Sequence, residues 1–299
     1  MRALVTGATG FLGRHLLQQI EQPVVLTRDP ARARGLPNDP ELFPWSPSSP
    51  PPAEAFSGVE VVFHLAGEPI AGGRWTDARK KKILESRREG TRALVEAMAA
   101  LERAPRALVS ASAVGYYGDR GEERLTEASP SGSGFLAEVG AHWEREASRA
   151  ESFGVRTVCV RTGLVMGDDG GMLARLKPVF RLGLGTTFGD GRQWMPWVHR
   201  DDVTRLYLHA ATQSDLHGPL NAVAPGIVRN REFTRILARV LGRPSFLTAP
   251  TFVLRTAMGE MAELVLGSQR VEPAATLASG FRFAHPELEP ALRELLSRR

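Results

Sequence analysis

Chemistry is written most plainly in Gly7-Ala8-Thr9-Gly10-Phe11-Leu12-Gly13, near the start of the chain. Its three glycines allow a tight turn and let the main chain approach a diphosphate closely. Residues 2–6 ahead of it read as a buried strand. Residues 11–20 read as a helix with Leu12, Leu16, Leu17 and Ile20 on one face. A glycine turn between a strand and a helix N-terminus offers free N–H groups and a positive dipole end to phosphate. Gly7, Thr9, Gly10, Phe11, Leu12 and Gly13 are therefore candidate dinucleotide-binding residues.

The next strand, Val24–Thr27, decides between two cofactors. NAD sites usually end this strand on an acidic residue that accepts from the ribose hydroxyls. Here it ends Thr27-Arg28-Asp29, with Arg32 and Arg34 beyond. Arg28 can pair with a 2′-phosphate and Thr27 can donate to it, so NADP(H) is favoured over NAD(H). Asp29 is the residue that keeps NAD open.

These candidates need elements to position them. The sequence reads as a Pro/Ser-rich loop over Pro44–Pro52, a strand over 59–66, a long helix over 76–103 and a strand over 106–112. A helix over about 133–153 follows, with Leu136, Val139, Trp143, Ala147 and Ala150 as its apolar stripe, then a strand over 155–160. Strands alternating with helices imply an α/β fold, a Rossmann-type doubly wound parallel sheet with a small C-terminal substrate lobe. After Arg161 the pattern loosens. Glycines cluster at 183–191, a helix spans 201 to about 212, a strand returns over 220–223, and helices cover 230–241 and about 250–266. The expected organisation is a dinucleotide-binding domain over 1–162, with a return segment at about 196–225. A smaller lobe of 163–195 and 226–299 completes it, with the ligand cleft between.

Composition narrows the function. The chain has 299 residues, 42% of them hydrophobic and 24% charged, enough for a sizeable core and too apolar for wholesale disorder. No run of 18 apolar residues occurs, so no membrane partner is expected. The N-terminus passes directly into the glycine motif, with no stretch resembling a secretory signal. Cys159 is the single cysteine, which excludes an internal disulfide and a cysteine metal cluster and fits a cytoplasmic location. The seven histidines show no metal-ligand spacing, so no metal is expected. Net charge is +5, but the basic residues are spread along the chain, which favours anionic small ligands over nucleic acid. The densest basic run is Arg79-Lys80-Lys81-Lys82 with Arg87 and Arg88. Glu85 and Glu89 interrupt it, and it reads as a solvated helix face.

Five segments carry a family likeness: Gly7–Gly13, Val62–Ile70, Ser110–Gly118, Gly189–Trp194 and Trp197–Val203. Gly259–Ala262 and Ser268–Val271 extend it to the C-terminal region. The chain resembles an extended short-chain dehydrogenase/reductase of the NAD-dependent epimerase/dehydratase superfamily, within the "epimerase family protein" subgroup of unassigned substrate. The resemblance implies that Leu65, Ala66 and Gly67 line the cofactor, that Thr162 lies near the nicotinamide, and that Ser112 steadies a substrate oxygen. It also exposes a loss. Related enzymes carry a Tyr–Lys acid/base pair on one helix, where this chain has Leu136 and Gly140. Tyr116, Tyr117 or Glu68 would have to substitute.

A second departure lies four residues before His199. Many nucleotide-sugar epimerases carry a diphosphate-clamping arginine there; this chain has Met195, and Arg192 is the residue that could compensate. Trp75, Trp194 and Trp197 suggest a flatter, more apolar pocket. Glu68, Trp75, Arg192 and Trp194 are thus the candidate substrate residues. Relatives often dimerise through the two long helices, which implies a homodimer. Two functions fit: an NADP(H)-dependent oxidoreductase or epimerase-like enzyme on a small molecule, and a non-catalytic dinucleotide-binding sensor.

Overall fold

Residues 1–297 are described by a computed structural model of the chain. Seven strands make one sheet: β1 (Arg2–Thr6), β2 (Gln22–Thr27), β3 (Glu41–Pro44), β4 (Val61–His64), β5 (Ala107–Ala113), β6 (Arg156–Thr162) and β7 (Gly218–Ala222). Their order is β7-β6-β5-β4-β1-β2-β3, and every neighbouring pair is parallel. This is the doubly wound Rossmann type. The winding direction reverses between β1 and β4, so the crevice outside their C-terminal ends is where such sheets receive ligands.

Burial on both faces explains the near-continuous apolar strands. Val5, Val25 and Phe63 face α1 (Phe11–Leu17) and a later helix, Arg200–Thr212, through Leu16, Leu206 and Tyr207. Leu4, Val24, Val62 and Leu108 face α2 (Asp77–Ala99) and α3 (Phe135–Ser148) through Leu94, Met98 and Ala147. Consecutive residues such as Leu4 and Val5 thus serve opposite layers. Thr76 starts α2, its hydroxyl accepting from the Arg79 N–H at 3.2 Å. The α3 stripe of Val139, Trp143 and Ala147 is buried inside the chain itself.

Beyond the sheet, α4 (Gly171–Arg181), α5 (Arg200–Thr212), α6 (Asn230–Val240), α7 (Thr251–Met258) and α8 (Leu288–Ser297) follow. Leu173, Trp197, Phe233, Leu237 and Leu292 form a separate core between α4, α6 and α8. Two-residue strands at Arg124–Leu125 and Arg270–Val271 pair in parallel, tying the C-terminal segment to the loop after β5. Among the described residues, no helix is long and apolar enough to cross a membrane.

Several boundaries differ from the sequence reading. Strand β3 was not expected; it lies at the sheet edge, where Pro44 at its end removes no ladder bond from a second neighbour. The helix over 250–266 breaks at Gly259, whose φ of 61° suits glycine, before a short turn at Glu263–Leu266. Helix α8 was also missed. His199 caps α5, its Nδ1 accepting from the Asp201 N–H at 3.1 Å. Asp202 instead accepts from the N–H groups of Ala284 and His285.

Candidate functional site

The glycine turn, the end of β2 and the end of β4 enclose one groove of about 280 Å³. Gly7, Thr9, Gly10, Thr27, Arg28, Leu65, Ala66 and Gly67 all line it, together with Trp45 and Pro47, which the sequence did not single out. Gly7 has φ of 71°, and a Cβ there would meet the Leu65 carbonyl carbon at 2.7 Å, so β1 and the β4 exit approach closely only with glycine. Thr6 fixes that approach: its hydroxyl accepts from the Ala66 N–H at 3.1 Å and bonds His64 Nδ1 at 2.8 Å. His64 is fully buried, also bonded to Thr91 at 2.9 Å, and burial followed by the Arg87 charge lowers its pKa to about 3. It is held neutral.

The rest of the glycine motif serves packing. The Phe11 ring occupies the space beside Gly167 and Gly170, where added Cβ atoms would lie 2.4 and 2.2 Å from it. Leu12 packs on the core, and a Cβ on Gly13 would sit 2.3 Å from the Gly7 oxygen. Arg28 is exposed and enters no ion pair with a described residue. Asp29 is occupied: one carboxylate oxygen caps the Ala31 and Arg32 N–H groups and the other pairs with Arg32 at 3.3 Å.

A second, largely apolar cavity of about 190 Å³ adjoins the groove across Gly67–Ile70. Thr162, Trp194, Leu136, Gly140, Met195 and Leu264 are among its walls. Leu136 and Gly140, where relatives would carry the proton relay, therefore face the cavity without a titratable group. The charged residues lining it are Arg87, Asp119 and Glu263. Glu263 has its pKa raised by burial first, then by the negative charges of Asp119 and Glu260.

The three expected catalytic residues do not line this cavity. Ser112 is buried, and its hydroxyl donates to Glu144 Oε1 at 2.6 Å. Glu144 is held by Arg161 through two bonds of 2.8 Å. The Tyr117 hydroxyl donates to Asn221 at 2.7 Å and accepts from Arg161 at 2.9 Å, in a side chain with no exposure. Burial pushes the Tyr117 pKa up to about 12 against the opposing pull of Arg161. The Tyr116 ring stacks on the same guanidinium, 3.6 Å from its carbon. Ser112, Tyr116 and Tyr117 are therefore parts of a polar network around Arg161, joining β5, α3, β6 and β7.

The expected substrate residues also divide. Glu68 lies in the groove at the glycine turn and pairs with Arg79 at 2.6 Å. Trp75 is buried, its Nε1 donating to the Ile70 oxygen at 3.0 Å and its ring set edge-on to Phe135. Arg192 is exposed and does not line the cavity. Trp194 does, steadied by its Nε1 bond to Glu122 at 2.9 Å. Arg87, read as solvated, is buried at 6% exposure. Glu263 and Asp119 had no sequence signal, since only the C-terminal segment folding back over the β5 exit brings them together. Outside the residues lining the cavity, His199, Asp201, His285 and Glu294 place one ligand-type atom each within 4.8 Å of one another, a cluster that no local spacing announced.

Residues 3–222 match the NAD dependent epimerase/dehydratase family, and residues 249–295 match a domain of unknown function, DUF1731. Glu263 and its neighbours in the cavity wall belong to the latter span. The chain is 36% identical to the epimerase family protein YfhF of Bacillus subtilis, over all of this chain and 99% of that protein. It is similar to the crystal structure of human epimerase family protein SDR39U1 (isoform 2) with NADPH, at 32% identity and TM-score 0.88, covering all of both chains. It is also similar to the nucleoside-diphosphate sugar epimerase of Corynebacterium glutamicum, at 35% identity and TM-score 0.80, covering 99% of this chain and 58% of that one.

Proposed function

The chain belongs to the NAD dependent epimerase/dehydratase family, and from that premise we propose that it is an NADP(H)-dependent oxidoreductase or isomerase of small carbonyl or alcohol compounds. One observation carries the reading. The groove formed by the glycine turn, Thr27-Arg28 and Leu65–Gly67 lies next to an apolar cavity lined by the end of β6, with Pro69 and Ser86 lining the groove and Ile70 and Arg87 lining the cavity. Leu26, Trp45 and Ala66 offer an apolar slot for a planar base, and Arg28 stands where a 2′-phosphate would emerge. NADPH bound to the human relative supports the same cofactor. Bound there, NADP(H) would supply or accept a hydride.

The chain must then move one proton. With Ser112 and Tyr117 engaged elsewhere, the proton group is Glu263, with Asp119 beside it. A carboxyl whose pKa is raised by burial and like charge keeps a proton closer to neutral pH and can deliver it to a substrate oxygen. The apolar walls exclude water from that transfer. NADPH oxidation against a panel of aldehydes and ketones tests the reading, with Glu263→Gln expected to lower turnover by about 10²-fold or more. A panel that yields a substrate whose turnover is indifferent to Glu263→Gln removes Glu263 from the mechanism.

A second reading is a dinucleotide-binding protein without turnover. It is favoured by Leu136 and Gly140 facing the cavity and by the internal engagement of Ser112 and Tyr117. Tight NADPH binding with no NADPH consumption across the panel would select it.

A further inference from the structure

Arg87 sits on α2 at the border between the groove and the apolar cavity. Its guanidinium lies 2.9 Å from where a Cβ of Gly67 would be, so it reaches this border only because residue 67 is glycine. Its Nη1 donates to the carbonyls of Glu68 and Ile83 at 3.0 and 3.1 Å. The nearby carboxylates are taken: Glu68 pairs with Arg79 at 2.6 Å and Glu89 with Arg88 at 2.7 Å. Among the described residues no ion pair involves Arg87, and its buried Nε has no hydrogen-bond partner. The Trp143 ring lies under the guanidinium at 4.8 Å, and its own buried Nε1 also lacks a partner. Both side chains line the cavity.

A buried cation without a counter-charge is costly, and so is an orphaned buried donor. Leu136, Val139, Met172 and Leu264 on the walls are apolar, and the two carboxylates that line the cavity, Asp119 and Glu263, make no ion pair or hydrogen bond with Arg87. With Nη1 consumed by two carbonyls, the Nε–Nη2 edge remains. That edge is the fork that matches two oxygens of one carboxylate or phosphate. Burial depresses the Arg87 pKa to about 10 against the opposing charge of Glu68, which leaves it charged at neutral pH.

We propose that the cavity receives an anionic group, a carboxylate or a phosphate, on the Nε–Nη2 edge of Arg87, with Trp143 Nε1 as a further donor. The proposal rests on the cofactor-and-cleft reading above, and two sources share its chemistry. One is the dinucleotide's own diphosphate. The other is an acidic group on the second ligand.

Thermal-shift and fluorescence titrations of wild type, Arg87→Lys and Arg87→Met separate these cases, with inorganic phosphate, benzoate and NADPH as probes. Phosphate or benzoate should raise the wild-type Tm and leave that of Arg87→Met unchanged. If the diphosphate is the anion, Arg87→Met weakens NADPH by about tenfold or more and benzoate has no effect on the NADPH complex. If the second ligand carries it, Arg87→Met binds NADPH within about threefold of wild type, and benzoate stabilises the wild-type NADPH complex but not the variant's. Arg87→Lys, which keeps charge and stem, carries the comparison if Arg87→Met does not fold. Wild type unresponsive to both anions, or variants that bind all probes as wild type does, would overturn the proposal. Failure of wild type to bind NADPH would instead defeat the cofactor reading, while the phosphate and benzoate results still judge Arg87.

Discussion

On the proposed reading, cofactor choice turns on a single exposed side chain. Arg28 follows the last residue of β2, Thr27, in the groove wall, and no described carboxylate neutralises it. Asp29, the residue that could have accepted from a ribose hydroxyl, is spent on capping Ala31 and Arg32. A charge-assisted hydrogen bond contributes about 1.5–3 kcal/mol, and solvent exposure places this one near the lower end. About 1.5 kcal/mol corresponds to roughly tenfold in affinity. Arg28→Ala should therefore weaken NADPH about tenfold and NADH less than about twofold, because NADH has no 2′-phosphate. Adding salt should shrink the wild-type preference, since an exposed pair is screened. Thermal stability should not change, because Arg28 holds nothing else in place. Fluorescence titration of both cofactors at low and high salt measures all of this. Equal losses for NADPH and NADH, or wild type preferring NADH, would refute the assignment.

Gly10→Val tests the groove at its floor. A Cβ there meets only the Gly7 oxygen, at 3.1 Å, so the variant should fold, yet its branched side chain should abolish dinucleotide binding in calorimetry. The Arg161 network should behave as structure: Arg161→Met leaves Glu144, whose side chain is 14% exposed, without its partner and should cost about 3–5 kcal/mol in urea unfolding. Ser112→Ala should cost only about 1 kcal/mol and leave any turnover intact, since its hydroxyl serves Glu144. His64 sets an acid limit. Its folded pKa of about 3 lies below the ordinary 6.5, so the unfolded chain binds a proton that the folded chain does not, and stability falls as pH drops from about 6.5 towards 3. The slope from this residue is at most about 1.4 kcal/mol per pH unit, and a folded His64→Asn variant should lack it.

The sheet and the glycine turn were legible because their signals are local. Strand and helix periodicity, a glycine spacing and the residue ending β2 all act within a few positions of one another. The loss of the Tyr–Lys pair at Leu136 and Gly140 was legible only through the family resemblance, which says where on the helix related enzymes carry it. The misses at β3 and α8 share a cause. An edge strand of four residues and a C-terminal helix both owe their stability to what they pack on rather than to their own pattern.

Roles within the site depended on the tertiary structure. Ser112 and Tyr117 look catalytic by position, but Glu144, Arg161 and Asn221 arrive from three other elements and engage their hydroxyls. Arg87 shares a basic run with solvated lysines, yet α3 packs over it and leaves it buried beside Trp143. Glu263 comes to the cavity from a segment more than a hundred residues after the β5 exit, and the four-residue cluster around His199 forms only when α8 docks. Sequence determines backbone geometry and the supply of functional groups at each position. Burial, pairing and charge depend on partners distant in the chain, so which of those groups remain free for chemistry is decided only in the folded protein.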